Sequence, residues 1–375
     1  MRKIPVFILV LAFLAGVGAI ALAAPKLLTS APAKFDDLVA AAKKEGQLSI
    51  IASPRDWANY GEIIDTFAKT YGIKVNELNP EGGSGDEIEA IKANENNAGP
   101  QAPDLIDVGL KFGPQAKADG LLAPYKVRTW STIPAGVKDA DGYWYGNYYG
   151  TMAFEVNLDV VKVPPQDWSD LLQPMYKGQI ALAGDPRTAN QAIMAVLAAG
   201  LGNKGTLDNY TPAIDFFSQL NAAGNFVPLI ADAGTVASGE TPITFRWDYN
   251  AMANRDRSDG NPNIAVIIPA SGQVAGVYAD AISAYAPHPN AARLWMEFVY
   301  SDQGQLMWLK GGAHPIRYSD LAARKVIPAA IAAMLPDASA YSKVVFPTLD
   351  QQTAVAKYIN DNWDSVVGVT VQAKQ

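Results

Sequence analysis

The 375-residue sequence predicts an α/β protein built as two successive strand–helix sets. Three observations carry that expectation. Amphipathic helical stretches alternate with short apolar strands from residue 35 to residue 108. An aromatic run over 143–150 then breaks the rhythm, and a second alternating set begins beyond it. A length of about 350 residues after the N-terminal segment suits two domains rather than one.

Met1-Arg2-Lys3 is a basic start, and residues 4–24 are uncharged and almost wholly apolar. Ala21-Leu22-Ala23 is a small-x-small site, so residues 1–23 read as an export signal cleaved before Ala24. A retained anchor is the alternative, because such a run approaches the ~20 residues that span a bilayer. A helix is expected over 35–45, with Phe35, Leu38, Val39 and Ala42 on one face and Gly46 as its stop. A strand over 47–53 follows, closed by Pro54. Next come a helix over 60–71, with Ile63, Ile64, Phe67 and Ala68 on one side, and a strand over 73–78. A helix over 86–94 and a strand over 104–108 complete this set. Such alternation argues for a mostly parallel sheet covered on both faces.

The aromatic run leads into a strand-like stretch over 151–157. The second set has a strand over 178–183, helices over 189–201 and 211–223, and a strand over 242–247. Residues 264–269 are expected to return the chain to the first set, where 275–285 adds a strand. Pro289 and Asn290 start another helix, with Asn290 as N-cap. Ala291, Leu294, Trp295, Phe298 and Val299 form its apolar stripe. Ser301 stops it and opens a further helix over 302–310.

Composition removes several function classes. With 37 acidic and 30 basic residues the net charge is −7, which disfavours nucleic acid or an anionic membrane as partner. The absence of cysteine excludes disulfides, thiolate metal sites and a Cys nucleophile. Only His288 and His314 are present, and each precedes a proline. Neither a Gly-x-Ser-x-Gly elbow nor a His-Glu-x-x-His motif occurs. No enzyme activity, cofactor or metal is therefore expected.

Strand-end loops hold the candidate binding residues. In Glu81-Gly82-Gly83-Ser84-Gly85-Asp86-Glu87, Ser84 and Glu87 have capping-box spacing, and Gly85 lets a ligand approach the backbone. A helix start with free N–H groups favours an anion. The Gly-Lys-Ser/Thr ending of a nucleotide loop is missing. Thr188 and Gln191 repeat the capping-box spacing after the strand over 178–183, and Arg187 adds a guanidinium suited to carboxylate or phosphate. Ser53 and Arg55 end the first strand, where ligands sit in open α/β sheets. Arg246, Asp248 and Tyr249 end a strand of the second set, and Tyr278 lies on the returning strand. Together these predict an anionic organic solute, phosphorylated or carboxylated. The competing case is a polyamine held by Asp185, Asp248 and Glu155 among Trp57, Trp247 and Tyr249.

The run over 287–305, Pro-His-Pro-Asn-Ala-Ala-Arg-Leu-Trp-Met-Glu-Phe-Val-Tyr-Ser-Asp-Gln-Gly-Gln, resembles a signature of the extracellular solute-binding proteins of ABC importers. The resemblance extends from Phe35 to about Lys357 and is nearest to the ferric iron, sugar phosphate, phosphonate and polyamine branch. It implies a type II two-lobe periplasmic binding protein fold with a ligand cleft between the lobes. The first lobe would comprise 33–150 and 270–320, the second 151–269, with 321–375 as C-terminal helices packed on them. It also implies a monomer in the periplasm that closes on a small-molecule solute and docks on an inner-membrane permease. A periplasmic ligand sensor is the alternative within the same fold. Ferric binders of this branch use adjacent tyrosines where this chain has Asp248-Tyr249, and often a histidine where it has Pro54-Arg55. Ferric iron needs several anionic oxygen ligands, so both departures count against it.

Overall fold

The structure is a computed structural model that describes residues 32–95, 97–333 and 342–373. The expected export signal lies outside the described residues. Among those described, no helix is long and apolar enough to cross a membrane.

The first set forms as α1 (Phe35–Glu45), β1 (Gln47–Ile51), α2 (Tyr60–Tyr71), β2 (Lys74–Leu78), α3 (Ser84–Ala93), β3 (Leu105–Gly109), α4 (Phe112–Ala118) and β4 (Leu122–Ala123). The aromatic run becomes the 13-residue strand β5 (Tyr145–Asn157). The second set is β6 (Ile180–Leu182), α5 (Asn190–Gly202), α6 (Thr211–Ala222), β7 (Phe226–Ile230), α7 (Ala233–Ala237), β8 (Ile243–Trp247), α8 (Asp248–Ser258) and β9 (Ile264–Ile267). Then follow β10 (Ala275–Ser283), α9 (Pro289–Val299), α10 (Asp302–Lys310), β11 (His314–Pro315), α11 (Tyr318–Ala323), α12 (Ala329–Ala332) and α13 (Leu349–Asn362).

The sheet is mixed rather than mostly parallel. Strand–helix alternation does give parallel pairs at β1–β2, β6–β7 and β6–β8. The long strand β5 carries the chain out of the first set, and β9 and β10 bring it back, so they pair antiparallel to β5. Residues 145–151 of β5 pair with β10, which also pairs with β3 and β4. Residues 152–157 of β5 pair with β8 and β9. One strand is thus shared by two strand groups. The expected return over 264–269 comes later, because β9 still belongs with β8 and only β10 joins the first group.

Where β5 passes from one group to the other, bulky rings cross the sheet. Gly150 and Gly276 are paired in register there. A Cβ at Gly150 would lie 2.4 Å from the Tyr249 ring, and one at Gly276 2.0 Å from the Trp247 ring. Only glycine lets those rings pack at this point. Elsewhere the core rests on large side chains that are fully buried, such as Trp168, Trp295 and Trp308. Trp295 packs edge-on against Phe67 at 5.2 Å, and Trp168 against Phe154 at 4.8 Å.

The signature helix α9 is present, but its cap differs from the expected one. His288 occupies the N-cap position, and the Glu45 carboxylate at the end of α1 receives the N–H groups of Asn290 and Ala291 at 2.9 and 2.7 Å. An anion from another helix therefore satisfies the α9 N-terminus. The next helix is as expected: Ser301 Oγ accepts from Gly304 N. After it, α12 packs on α10 and α13 packs on α5.

Candidate functional site

A cleft of about 640 Å³ opens between the two strand groups. It is built from loops at strand ends: β1–α2, β2–α3, β6–α5, β7–α7 and β8–α8. Its floor is one face of the β3–β10 pair. On that face Asp107 stands opposite Asp280, and Gly109 opposite Tyr278. The Asn190 side chain, from the start of α5, lies over Gly109: a Cβ there would be 2.2 Å from the Asn190 amide carbon.

The α3 and α5 N-termini meet across this cleft. A Cβ on Gly83 would be 3.9 Å from Ala189, and one on Gly85 would be 3.8 Å from Thr188. Neither predicted capping box forms. At α3 it is Asp86 that accepts from Gly83 N, at 2.8 Å. Ser84 and Glu87 turn instead toward β3, where Ser84 Oγ accepts from Gly109 N and Glu87 Oε2 accepts from Asp107 N. At α5, Ala189 is the N-cap and provides no side-chain bond. Gln191 bridges to β8, accepting from Trp247 N at 2.9 Å. The side chains assigned to capping hold neighbouring strands, and the first-turn N–H groups stay available.

Of the predicted binding residues, Ser84, Thr188, Arg246 and Tyr278 line the cleft, and six do not. Arg187 turns back on Asp185 at 2.7 Å and reaches Asp364 at 3.2 Å. Arg55 is held by Asp65 and Glu77, at 2.5 and 2.7 Å. Both guanidiniums are thus neutralised by carboxylates, of which Asp185 itself lines the cleft. Ser53 Oγ bonds the Ile51 carbonyl. Gly85 lies against Thr188 behind the lining. Asp248 is fully buried and accepts from Thr151 N, and Tyr249 is fully buried against Trp57 and Tyr148. The acids of the polyamine alternative are engaged too. Glu155 pairs with Arg246 and Asp185 with Arg187.

Sequence reasoning missed Asp107, Asn190, Asn250 and Arg257. Asp107 carried a readable signal, a lone acid inside the apolar strand Leu-Ile-Asp-Val-Gly. Its Oδ2 accepts from the hydroxyls of Tyr60 and Tyr148, at 2.7 and 2.5 Å, and Tyr148 in turn accepts from Trp57 Nε1 at 2.8 Å. Burial pushes the Asp107 carboxyl up to about 6, against the pull of those hydroxyls. Burial, then the neighbouring Asp107, raises Glu87 and Asp280 well above the usual carboxylate range. Asn190 Oδ1 and both polar atoms of the Asn250 amide are buried without a protein partner. Arg257, on α8, pairs with Asp56 of the β1–α2 loop across the cleft mouth.

An α/β scaffold whose sheet splits around a cleft of converging helix starts defines a solute-binding protein of the periplasmic binding protein fold. The chain belongs to the bacterial extracellular solute-binding protein family, whose model matches residues 101–351. It is 26% identical over 292 residues to "Iron uptake protein A1" of Synechocystis sp., covering 75% of this chain and 78% of that protein. It is 25% identical over 252 residues to a putative 2-aminoethylphosphonate-binding periplasmic protein of Salmonella typhimurium, covering 66% and 70%. The structure of AfuA from Actinobacillus pleuropneumoniae with fructose-6-phosphate bound shares the fold. Its TM-score is 0.66 at 22% identity, over 85% of this chain and 99% of that one. The chain is thus a bacterial extracellular solute-binding protein, and that family is non-enzymatic.

Proposed function

We propose that the two strand groups act as lobes that close on a small organic solute bearing an anionic group, phosphorylated or carboxylated. In that reading the exported chain acts as a monomer and delivers the solute to an inner-membrane permease. One observation carries it: the N-termini of α3 and α5 converge from opposite sides of the cleft. Each helix end bears roughly half a positive charge. Two such ends facing each other across one cleft repel unless an anion lies between them. The expected grip by Arg187 and Arg55 is replaced by backbone N–H groups, with Arg246 at the wall.

Relatives bind iron, a phosphonate or a sugar phosphate by their names, and the geometry favours the organic anions. Tyr249, in the position where ferric binders of this branch carry a ligand tyrosine, is fully buried outside the cleft lining.

A thermal-shift screen of phosphate monoesters, phosphonates, carboxylates, ferric citrate and putrescine tests the reading. A melting shift confined to anionic organic compounds is expected. A shift produced only by ferric citrate or by putrescine would refute it.

A further inference from the structure

The two strand groups approach each other at both rims of the cleft, by different means. At one rim the α3 and α5 N-termini come together through Gly83, Gly85, Thr188 and Ala189. At the other, Arg257 of α8 forms an ion pair with Asp56 of the β1–α2 loop. Ion pairs such as Arg128–Glu297, Lys310–Glu62 and Arg246–Glu155 stay within one group, whereas this one joins the two. It is also a partition. Asp56 and Arg257 line the cleft and, on their other side, a second hollow of about 320 Å³ bordered by Arg55, Asn59, Met252 and Lys310.

Each end of the pair is held by its own group. Asp56 lies in a turn where Trp57 N donates to the Pro54 carbonyl at 2.9 Å, and Trp57 Nε1 donates to the Tyr148 hydroxyl at 2.8 Å. Arg55 ties the same loop to α2 and β2 through Asp65 and Glu77. Across the mouth, Arg257 donates to Asn254 Oδ1, and Asn254 Nδ2 donates to Glu155 Oε1 at 2.9 Å. Glu155 is buried and pairs with Arg246 of the cleft wall. Arg257 is thus fixed by a chain of polar contacts that begins at the wall. Side chains oriented in this way lose less rotamer freedom on pairing than free ones do.

We propose that Asp56 and Arg257 form a latch across the mouth, which biases the ligand-free protein toward the closed arrangement and bars the way from the cleft to the outer hollow. This rests on the reading of the two strand groups as closing lobes and adds what holds them at the mouth. Both side chains are about half exposed, at 50% and 47%, so the latch is weak and salt-sensitive. An exposed ion pair shifts an equilibrium by up to about fivefold. A bias of that size lowers the cost of closure without locking the empty protein, and the solute supplies the rest.

Distance measurement between paired spin labels tests the latch without a solute. The chain has no cysteine, so Glu89→Cys on α3 and Asp215→Cys on α6 place one label on each lobe, both at exposed positions. This doubly labelled parent should show a shorter, closed distance and a longer, open one. Asp56→Arg sets two positive charges face to face and should lower the ratio of closed to open by about threefold or more. Adding Arg257→Asp restores an ion pair of reversed sign and should return the ratio to within about twofold of the parent. Two distances in the same ratio in all three proteins, or a loss that the second reversal does not recover, overturn the latch and leave the closing lobes standing. One distance common to all three proteins overturns the closing-lobe reading, and the latch with it.

Discussion

Adding one methyl group at Gly109 should disable closure without unfolding the protein. The residue lies in β3 with its open side toward Asn190 of α5. A Cβ would be 2.2 Å from the Asn190 amide carbon and 2.5 Å from both amide heteroatoms. Non-bonded carbon contacts settle near 3.5–4.0 Å, so the amide would have to retreat by more than ~1 Å. The Asn190 amide must then rotate out of its buried place over Gly109, or the two strand groups must separate. Overpacking of this kind costs about 1–3 kcal/mol, and in the proposed hinge motion the cost falls on the arrangement that brings α5 onto β3. A solute that needs closure should therefore bind Gly109→Ala about 5- to 150-fold more weakly. Calorimetry with the tightest-binding phosphate monoester, phosphonate or carboxylate measures the loss, and small-angle scattering should show the compaction on binding reduced. Wild-type affinity with wild-type compaction would refute the reasoning.

Arg187→Ala should change solute affinity by less than about twofold, since that guanidinium is engaged by Asp185 and Asp364; a tenfold loss in calorimetry would return it to the site. Glu45→Ala removes the anion that caps α9 and should cost about 0.5–2 kcal/mol of stability in urea unfolding, whereas an unchanged midpoint would mean the cap is idle. The buried acids predict the pH dependence of stability. Glu87, Asp107 and Asp280 have raised folded-state values, so the folded protein holds more protons than the unfolded chain. Their contribution is full below the unfolded values near 4 and is lost as pH rises through 6 and beyond. His314, held down to about 4 by burial, acts in the opposite direction between pH 4 and 6.5, so the comparison is made with Glu87→Gln. That variant should lose less melting temperature than wild type between pH 5.5 and 7.5; equal losses would show that Glu87 is already ionised in the folded protein across the window.

Local pattern made most elements legible. α1 and α2 occupy the expected residues because an apolar stripe and a stopping glycine agree in each, and α10 because Ser301 caps it. Sheet direction was not legible, since pairing of β5 with β9 and β10 depends on segments more than a hundred residues apart. The site was readable as loops but not as side chains. The β2–α3 and β6–α5 turns do border the cleft, yet the partners that remove Arg55 and Arg187 from it include Asp364, 177 residues along the chain. The capping boxes failed for a similar reason. Glu87 and Gln191 found better partners in the strands that α3 and α5 pack against. Asp107 was visible as a polar interruption of an apolar strand, but not its setting, with Asp280 opposite it on β10 and the Tyr60 and Tyr148 hydroxyls on its carboxylate.

The most direct measurement is native mass spectrometry of the protein purified from its own periplasm without denaturation, followed by release and identification of the bound small molecule. An organic solute of a few hundred daltons bearing a phosphate, phosphonate or carboxylate is the expected result. A bound ferric ion, or a polyamine with no acidic group, would contradict the account.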